Sequence, residues 1–87
     1  MGYNAADQKE ILVLAEVATK ENDIPALQNI YENAIKIDPR NADWYARLAA
    51  LYLEIGKKDK ARELVLKAVA LDPTLKEEAT KFLKLLE

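Results

Sequence analysis

The sequence repeats itself at an interval of 34 residues. Residues 33–39, Asn-Ala-Ile-Lys-Ile-Asp-Pro, return at 67–73 as Lys-Ala-Val-Ala-Leu-Asp-Pro, and at the same interval Leu14 corresponds to Leu48. A fixed period of this length is typical of repeat architectures, in which each repeat is one supersecondary unit that buries its apolar face against the next. The period therefore predicts two stacked copies of one unit, followed by a shorter remainder.

Within each period the apolar residues recur three and four positions apart, which is the spacing of a helix and not of a strand. Each period has room for two helices, and the remainder has room for one. The predicted fold class is all-α, with two helix-turn-helix hairpins and a fifth helix that caps the stack. The five helices are predicted over Ala5 to Glu21, about Pro25 to Ile37, Asn41 to Gly56, Asp59 to Leu71, and Thr74 to Leu86.

Turn and capping residues predict where these helices begin and end. Asn4 and Asn41 are predicted N-caps of the first and third helices, because a short polar side chain there accepts a hydrogen bond from the first turn. Thr74 with Glu77 three positions later forms a capping-box pattern before the fifth helix. Gly56 supplies a left-handed residue after the third. The other breaks are predicted at Asn22-Asp23, Asp38-Pro39 and Asp72-Pro73.

The predicted core combines small and aromatic side chains. Alanines at helix crossings let neighbouring helices approach closely, and aromatic rings fill the wider gaps. Trp44 is predicted to pack across the junction between the two hairpins, with exposure at the rim for a partner as the alternative. The inner faces are predicted to include Ala15, Ile30, Tyr31, Ala34, Ile37, Tyr45, Leu48, Ala49, Tyr52, Ile55, Ala61, Leu64, Val65, Ala68, Leu71, Leu75, Ala79, Phe82, Leu83 and Leu86.

Composition limits the chemistry that this chain can perform. Its 87 residues suffice for one small domain and include no Cys and no His. Without them there is no thiolate, no imidazole ligand and no histidine general base, so neither a metal nor a cofactor is predicted. Adjacent acidic residues such as Glu77 and Glu78 diverge on a helix, and the chain has no glycine-rich phosphate loop. An enzyme is therefore the least favoured class of function.

Charge and hydropathy exclude further classes of partner. The 13 basic and 15 acidic residues give a net charge of -2 and are interspersed, whereas nucleic-acid binding favours a basic patch. Apolar runs such as 11–15 are far shorter than the roughly 20 residues of a membrane-spanning helix, and no signal-peptide pattern opens the chain. The sequence predicts a soluble chain that neither binds nucleic acid nor inserts into a membrane, with the cytoplasm as the expected compartment.

The second period resembles the tetratricopeptide repeat. Trp44-Tyr45, Leu48-Ala49, Tyr52, Gly56, Ala61, Val65, Ala68 and Asp72-Pro73 follow the order of residue types in that family. The first period is degenerate, with Ile11, Ala18, Asn22 and Leu27 in place of the aromatic, Tyr, Gly and Ala. The resemblance implies a right-handed α-α superhelix in one domain, 1–87, with repeats at about 8–41 and 42–75 and a capping helix at about 75–87. Its structural signature corresponds here to Leu14, Ala15, Ala34, Pro39, Tyr45, Leu48, Ala49, Tyr52, Gly56, Ala61, Ala68 and Pro73.

The resemblance also implies a concave groove, lined by the first helix of each hairpin, that receives an extended or helical peptide. Four of its positions are apolar and three are acidic, which favours an apolar partner with basic residues. The sequence departs from the subclass of the family that binds C-terminal carboxylates, because Leu12 and Glu16 occupy the groove positions at which that subclass has Lys and Asn. In the alternative interpretation there is no binding groove: the alanines at these positions are present because Ala is a good helix former, and the charged side chains are simply solvated. The groove positions are Leu12, Glu16, Thr19, Lys20, Asp43, Ala46, Ala50, Leu53 and Glu54.

Three functions follow from these observations. The first is a protein-protein interaction module that binds a peptide or helix in the groove. The second is a self-associating scaffold, a homo-oligomer, because solenoids usually need three or more repeats; a consensus-like engineered protein without a natural partner fits the same pattern. The third, an enzyme, is disfavoured. Residues 71–83 also resemble repeat tails of larger bacterial proteins, including membrane glycan polymerases and ligases, which predicts an excised domain.

Overall fold

Five α-helices and one short 3₁₀ turn follow one another along the chain. The computed structural model describes residues 5–87, with side chains from Gln8 onward, and no strand occurs among them. The all-α prediction is confirmed, whereas the predicted cap Asn4 lies outside the described residues. The helices are α1 Ala5–Lys20, α2 Ile24–Ile37, α3 Ala42–Glu54, α4 Lys58–Leu71 and α5 Lys76–Leu85, with the 3₁₀ turn at Pro73–Leu75.

The turn chemistry explains why the hairpins close where they do. The Asp23 side chain accepts a hydrogen bond from the amide of Ala26 at 3.2 Å, and Pro25 occupies the first turn of α2. The two intra-hairpin turns each contain a residue with positive φ, Asn22 at 55° and Gly56 at 81°. Gly and Asn are the residues that tolerate this conformation best. The replacement of Gly by Asn in the first repeat therefore preserves the turn.

We expect Gly56→Ala to lower the free energy of unfolding by about 1–2 kcal/mol, because a Cβ is strained at positive φ. An added Cβ at Gly56 meets no atom within 4 Å, so the cost comes from the backbone alone. Gly56→Asn should cost less, since Asn22 adopts this conformation at the equivalent position. Urea unfolding followed by circular dichroism measures both, and equal losses for the two variants would contradict this explanation.

The fifth helix begins differently from the prediction. Asp72, and not Thr74, is the capping residue: its Oδ1 accepts hydrogen bonds from the Thr74 amide at 3.1 Å and from the Thr74 hydroxyl at 2.6 Å. The chain then makes the 3₁₀ turn, and α5 starts at Lys76 without a side-chain cap. The predicted capping box of Thr74 and Glu77 is therefore wrong, because the hydroxyl is already engaged by the preceding Asp.

Each helix packs against the next along the chain, α1 on α2 through to α4 on α5. Ala34, Ala49 and Ala61 are fully buried, as expected of small residues at helix crossings. Trp44 is also fully buried, and its ring centroid lies 6.3 Å from that of Tyr31, so the predicted packing between hairpins is confirmed. Other buried signature residues are Ala15, Tyr45, Leu48, Tyr52 and Ala68.

Pro39 contributes to the structure through its backbone. The Tyr45 hydroxyl donates a hydrogen bond to the Pro39 carbonyl at 2.9 Å, which ties the buried ring of α3 to the turn before it. A buried tyrosine usually needs such a partner for its hydroxyl. The aromatic residue at this repeat position thus fills space and also fixes the connection between the hairpins.

Two residues predicted for the inner faces, Ile37 and Ile55, and one signature residue, Leu14, are exposed. Leu14 is 57% accessible, Ile37 is 53% and Ile55 is 36%. Ile37 is the last residue of α2 and Ile55 is the C-cap of α3, so both lie where the inner face ends. Leu14 is exposed for another reason: it lies on the side of α1 that faces away from the neighbouring helices. Helical spacing assigned these residues correctly to a face but did not reveal whether a neighbour covers it.

Candidate functional site

The predicted groove residues lie on α1 and α3, the first helices of the two hairpins. Six of them are exposed and three are half-buried. The half-buried residues, Leu12, Ala46 and Leu53, pack against the apolar core. These three predicted groove residues therefore also contribute to the core. Ala50 is the one apolar member of the set that is exposed, and the polar exposed members are Glu16, Thr19, Lys20, Asp43 and Glu54.

One depression brings together predicted groove residues from both hairpins. It has a volume of about 390 Å³ and is lined by Thr19 of α1 and by Ala50 and Glu54 of α3, among others. Its apolar lining also includes side chains of the core, whose edges are accessible at this point. The remaining residues that line it are Leu27, Tyr31, Arg47 and Leu51. The depression thus spans the junction between the hairpins and combines an apolar surface with a carboxylate.

A second depression, of about 490 Å³, lies where α3 approaches the start of α5. Asp43 and Ala46 line it from α3, and Leu75 and Glu78 line it from the opposite side. Leu12, Glu16, Lys20 and Leu53 line neither of these two depressions. Five of the nine predicted groove residues thus line two separate concave regions.

Three charged residues of the predicted groove form ion pairs within their own helices. The Asp43 carboxylate accepts a hydrogen bond from the Arg47 guanidinium at 2.8 Å, and this contact raises the pKa of Arg47 above its usual value. Lys20 lies 3.5 Å from Glu16 in an exposed pair one turn apart. Exposed pairs of this kind contribute little to stability. They do reduce the charge that Asp43 and Glu16 can offer to a partner.

A cleft of about 370 Å³ between α2 and α4 is lined by several charged side chains and by Tyr52. The Tyr52 hydroxyl donates a hydrogen bond to Glu32 Oε2 at 3.2 Å, and the ammonium groups of Lys57 and Lys60 lie 6.0 and 5.7 Å from the Tyr52 ring centroid. Burial, followed by the contact with Glu32, raises the pKa of the Tyr52 phenol. These contacts hold Tyr52 between the second helices of the two hairpins.

Sequence reasoning missed four residues of the first depression: Leu27, Tyr31, Arg47 and Leu51. Leu27 and Tyr31 come from α2, whereas the prediction considered only the first helix of each hairpin. The spacing of Arg47 four residues after Asp43 was the signal for a charged residue held beside the groove.

Comparison with known proteins identifies the fold family. A family model described as Tetratricopeptide repeat matches residues 18–86. The chain belongs to the tetratricopeptide repeat family. Such repeats are non-catalytic modules that mediate protein-protein interactions. The match begins near the end of α1, so most of that helix lies outside it, in agreement with the degenerate first period.

A curated relative is Cellulose synthase operon protein C of Pseudomonas fluorescens (strain SBW25), which is 34% identical over 65 residues. The matched segment is 75% of this chain and 5% of the relative. The chain therefore spans only a small fraction of the curated protein that it matches. Among the helices within residues 5–87, none has both the length and the apolar character needed to cross a membrane.

Proposed function

We propose that this tetratricopeptide repeat chain, as one domain, is an interaction module that binds a peptide in the depression between its hairpins. The observation that carries the proposal is the meeting of Thr19, Ala50 and Glu54 around one concave surface. Its lining includes the edges of Leu27 and Tyr31, which are otherwise buried. An apolar surface with a few polar groups at its edge is typical of peptide and ligand sites.

The charges around this depression favour one class of peptide. The positive charge of Arg47, which lines the depression, is paired with Asp43. Glu54 is the predicted groove carboxylate that lines the depression. A carboxylate at the edge of an apolar surface attracts a cationic side chain and repels an anionic one. We therefore expect a short segment that places an apolar side chain against Leu27 and Tyr31 and a Lys or Arg beside Glu54.

Selection from a random peptide display library tests this proposal, followed by fluorescence anisotropy with the selected peptides. Peptides rich in apolar and basic residues are the expected result. Ala50→Arg should then weaken binding at least about tenfold, because a long cationic side chain fills the depression and repels the peptide's own cation. Ala50 suits this test better than Leu12 or Leu53, since substitution of those half-buried residues would disturb the core as well.

Ala70→Arg is the matched control, because Ala70 is likewise an exposed helical alanine but lies on α4. Glu54→Lys should shift the selected peptides from basic to acidic, whereas Glu63→Lys on α4 should leave the selection unchanged. Equal effects of Ala50→Arg and Ala70→Arg, or failure to select any peptide above background, would contradict the proposal.

The curated relative supports a context for this module. In that bacterial protein the similar segment is a small part of a much longer chain. We infer that this chain acts likewise, as a repeat unit of a larger bacterial protein in which it supplies a docking surface. Expression of the longer reading frame, if one surrounds this segment, and comparison of peptide binding with that of the 87-residue chain would test the inference.

A further inference from the structure

An apolar patch on α1 faces away from the rest of the described chain. It consists of Val13, Leu14 and Val17, which are 59, 57 and 50% accessible, and we call it the α1 patch. Val17 follows Leu14 by three positions and Val13 by four, so the three residues lie on one side of the helix. Glu10, also exposed, continues this side toward the start of α1, and the exposed Glu21 directly follows the last residue of the helix. The α1 patch is separate from the depression around Ala50.

The internal repeat indicates what kind of surface this is. Advancing by 34 residues converts Leu14 into Leu48 and Val17 into Leu51, which are only 3 and 4% accessible. Leu48 and Leu51 belong to the core cluster that contains Leu27 and other residues of α2. Two of the three patch positions therefore pack against a helix in the second repeat but are uncovered in the first, whereas Val13 corresponds to the exposed Arg47. The two uncovered core positions indicate that the α1 patch also receives a helix.

Glu10 restricts the chemistry of that helix. Its equivalent in the second repeat is Trp44, which is fully buried. A helix with an entirely apolar face, placed on α1 as α2 is placed on α3, would bury the Glu10 carboxylate without a partner, and this is costly. The helix that covers the patch should therefore carry apolar residues at its centre and a cation opposite Glu10.

The α1 helix itself has this pattern when it runs in the opposite direction. In an antiparallel pair centred on residue 15, Val13 lies opposite Val17 of the second copy. Glu10 lies opposite Lys20, and Lys9 lies opposite Glu21, each arrangement occurring twice by symmetry. The two Leu14 side chains are offset by two residues, about 3 Å along the helix axis, and contact each other. Apolar contact and charge complementarity thus arise in one register.

We propose that the α1 patch is the interface of a symmetric homodimer, in which α1 packs antiparallel against α1 of a second copy. This inference does not rest on the proposed peptide site, which uses other residues. Each copy contributes the same surface, so the contact closes at two chains and does not extend into a filament. The apolar area on one helix is small, so the dimer should dissociate on dilution and reform on concentration.

Sedimentation velocity of the full chain over a hundredfold concentration range tests the proposal. We expect a reversible monomer-dimer equilibrium, and Leu14→Glu should raise its dissociation constant at least about 100-fold, because both copies lose the central contact. Leu66→Glu is the matched control: Leu66 is 52% accessible and lies on α4, so this variant should dimerise like the parent. Circular dichroism should give helical spectra for both variants.

A charge exchange tests the register. Lys20→Glu should weaken the dimer about tenfold, since it places like charges opposite each other at two symmetric positions, and addition of Glu10→Lys should restore most of the affinity. A chain that stays monomeric at all concentrations overturns the proposal. A dimer that Leu66→Glu disrupts as strongly as Leu14→Glu also overturns it. So does a chain that forms a complex through the α1 patch only when a helix of a different protein is added.

Discussion

Replacement of Trp44 by alanine is expected to lower the free energy of unfolding by about 3–5 kcal/mol. Trp44 is fully buried and belongs to the cluster that joins residues of α1, α2, α3 and α4. Removal of the indole leaves a cavity between the two hairpins and also removes the contact with Tyr31. Since small domains have total stabilities of about 5–15 kcal/mol, this loss is a large fraction of the total, and the variant should unfold at a clearly lower urea concentration than the parent.

Trp44→Phe separates packing from hydrogen bonding at this position. The indole Nε1 is buried and has no hydrogen-bond partner within the described part of the chain. Phenylalanine removes that donor together with part of the volume, so its loss of stability should be clearly smaller than that of alanine. Urea unfolding followed by circular dichroism measures both. Losses below about 1 kcal/mol for Trp44→Ala would mean that the hairpins do not depend on this side chain for their packing.

The repeat period made most of the fold predictable. It required each helix in one hairpin to have a counterpart in the other, so weak signals in the first period were interpreted through strong ones in the second. Asn22 is the clearest case: the sequence predicted a turn at Asn22-Asp23 and aligned Asn22 with Gly56, and the structure gives both residues a positive φ. The start of α5 was less predictable because Thr74 could serve either the helix or Asp72, and only geometry distinguishes the two.

The candidate site was less predictable than the fold, for a physical reason. Periodicity assigns a residue to a face of its helix, but whether that face is covered depends on how closely the neighbouring helices approach. Leu12 and Leu53 were assigned to the groove, yet they pack on the core. Conversely, Tyr31 was predicted for the core, yet it lines the depression together with Leu27. These boundaries between core and groove arise from helix crossing, which no single helix sequence encodes.

A matched pair of substitutions, 34 residues apart, tests whether the two hairpins are energetically unequal. Leu48→Ala should lower the free energy of unfolding by about 2–5 kcal/mol, because Leu48 is 3% accessible and its removal leaves a cavity against α2. Leu14→Ala makes the same chemical change at the equivalent repeat position. It should cost less than about 0.5 kcal/mol in the monomer, since Leu14 is 57% accessible.

Protein concentration separates this comparison from self-association. Unfolding of Leu14→Ala should be measured at a concentration at which sedimentation gives only monomer, because a dimer that covers Leu14 adds its association free energy to the apparent stability. At higher concentration Leu14→Ala should become destabilising relative to the parent, whereas the loss in Leu48→Ala should stay large throughout. A loss of more than about 2 kcal/mol for Leu14→Ala in the monomer would mean that the α1 patch is already covered within one chain.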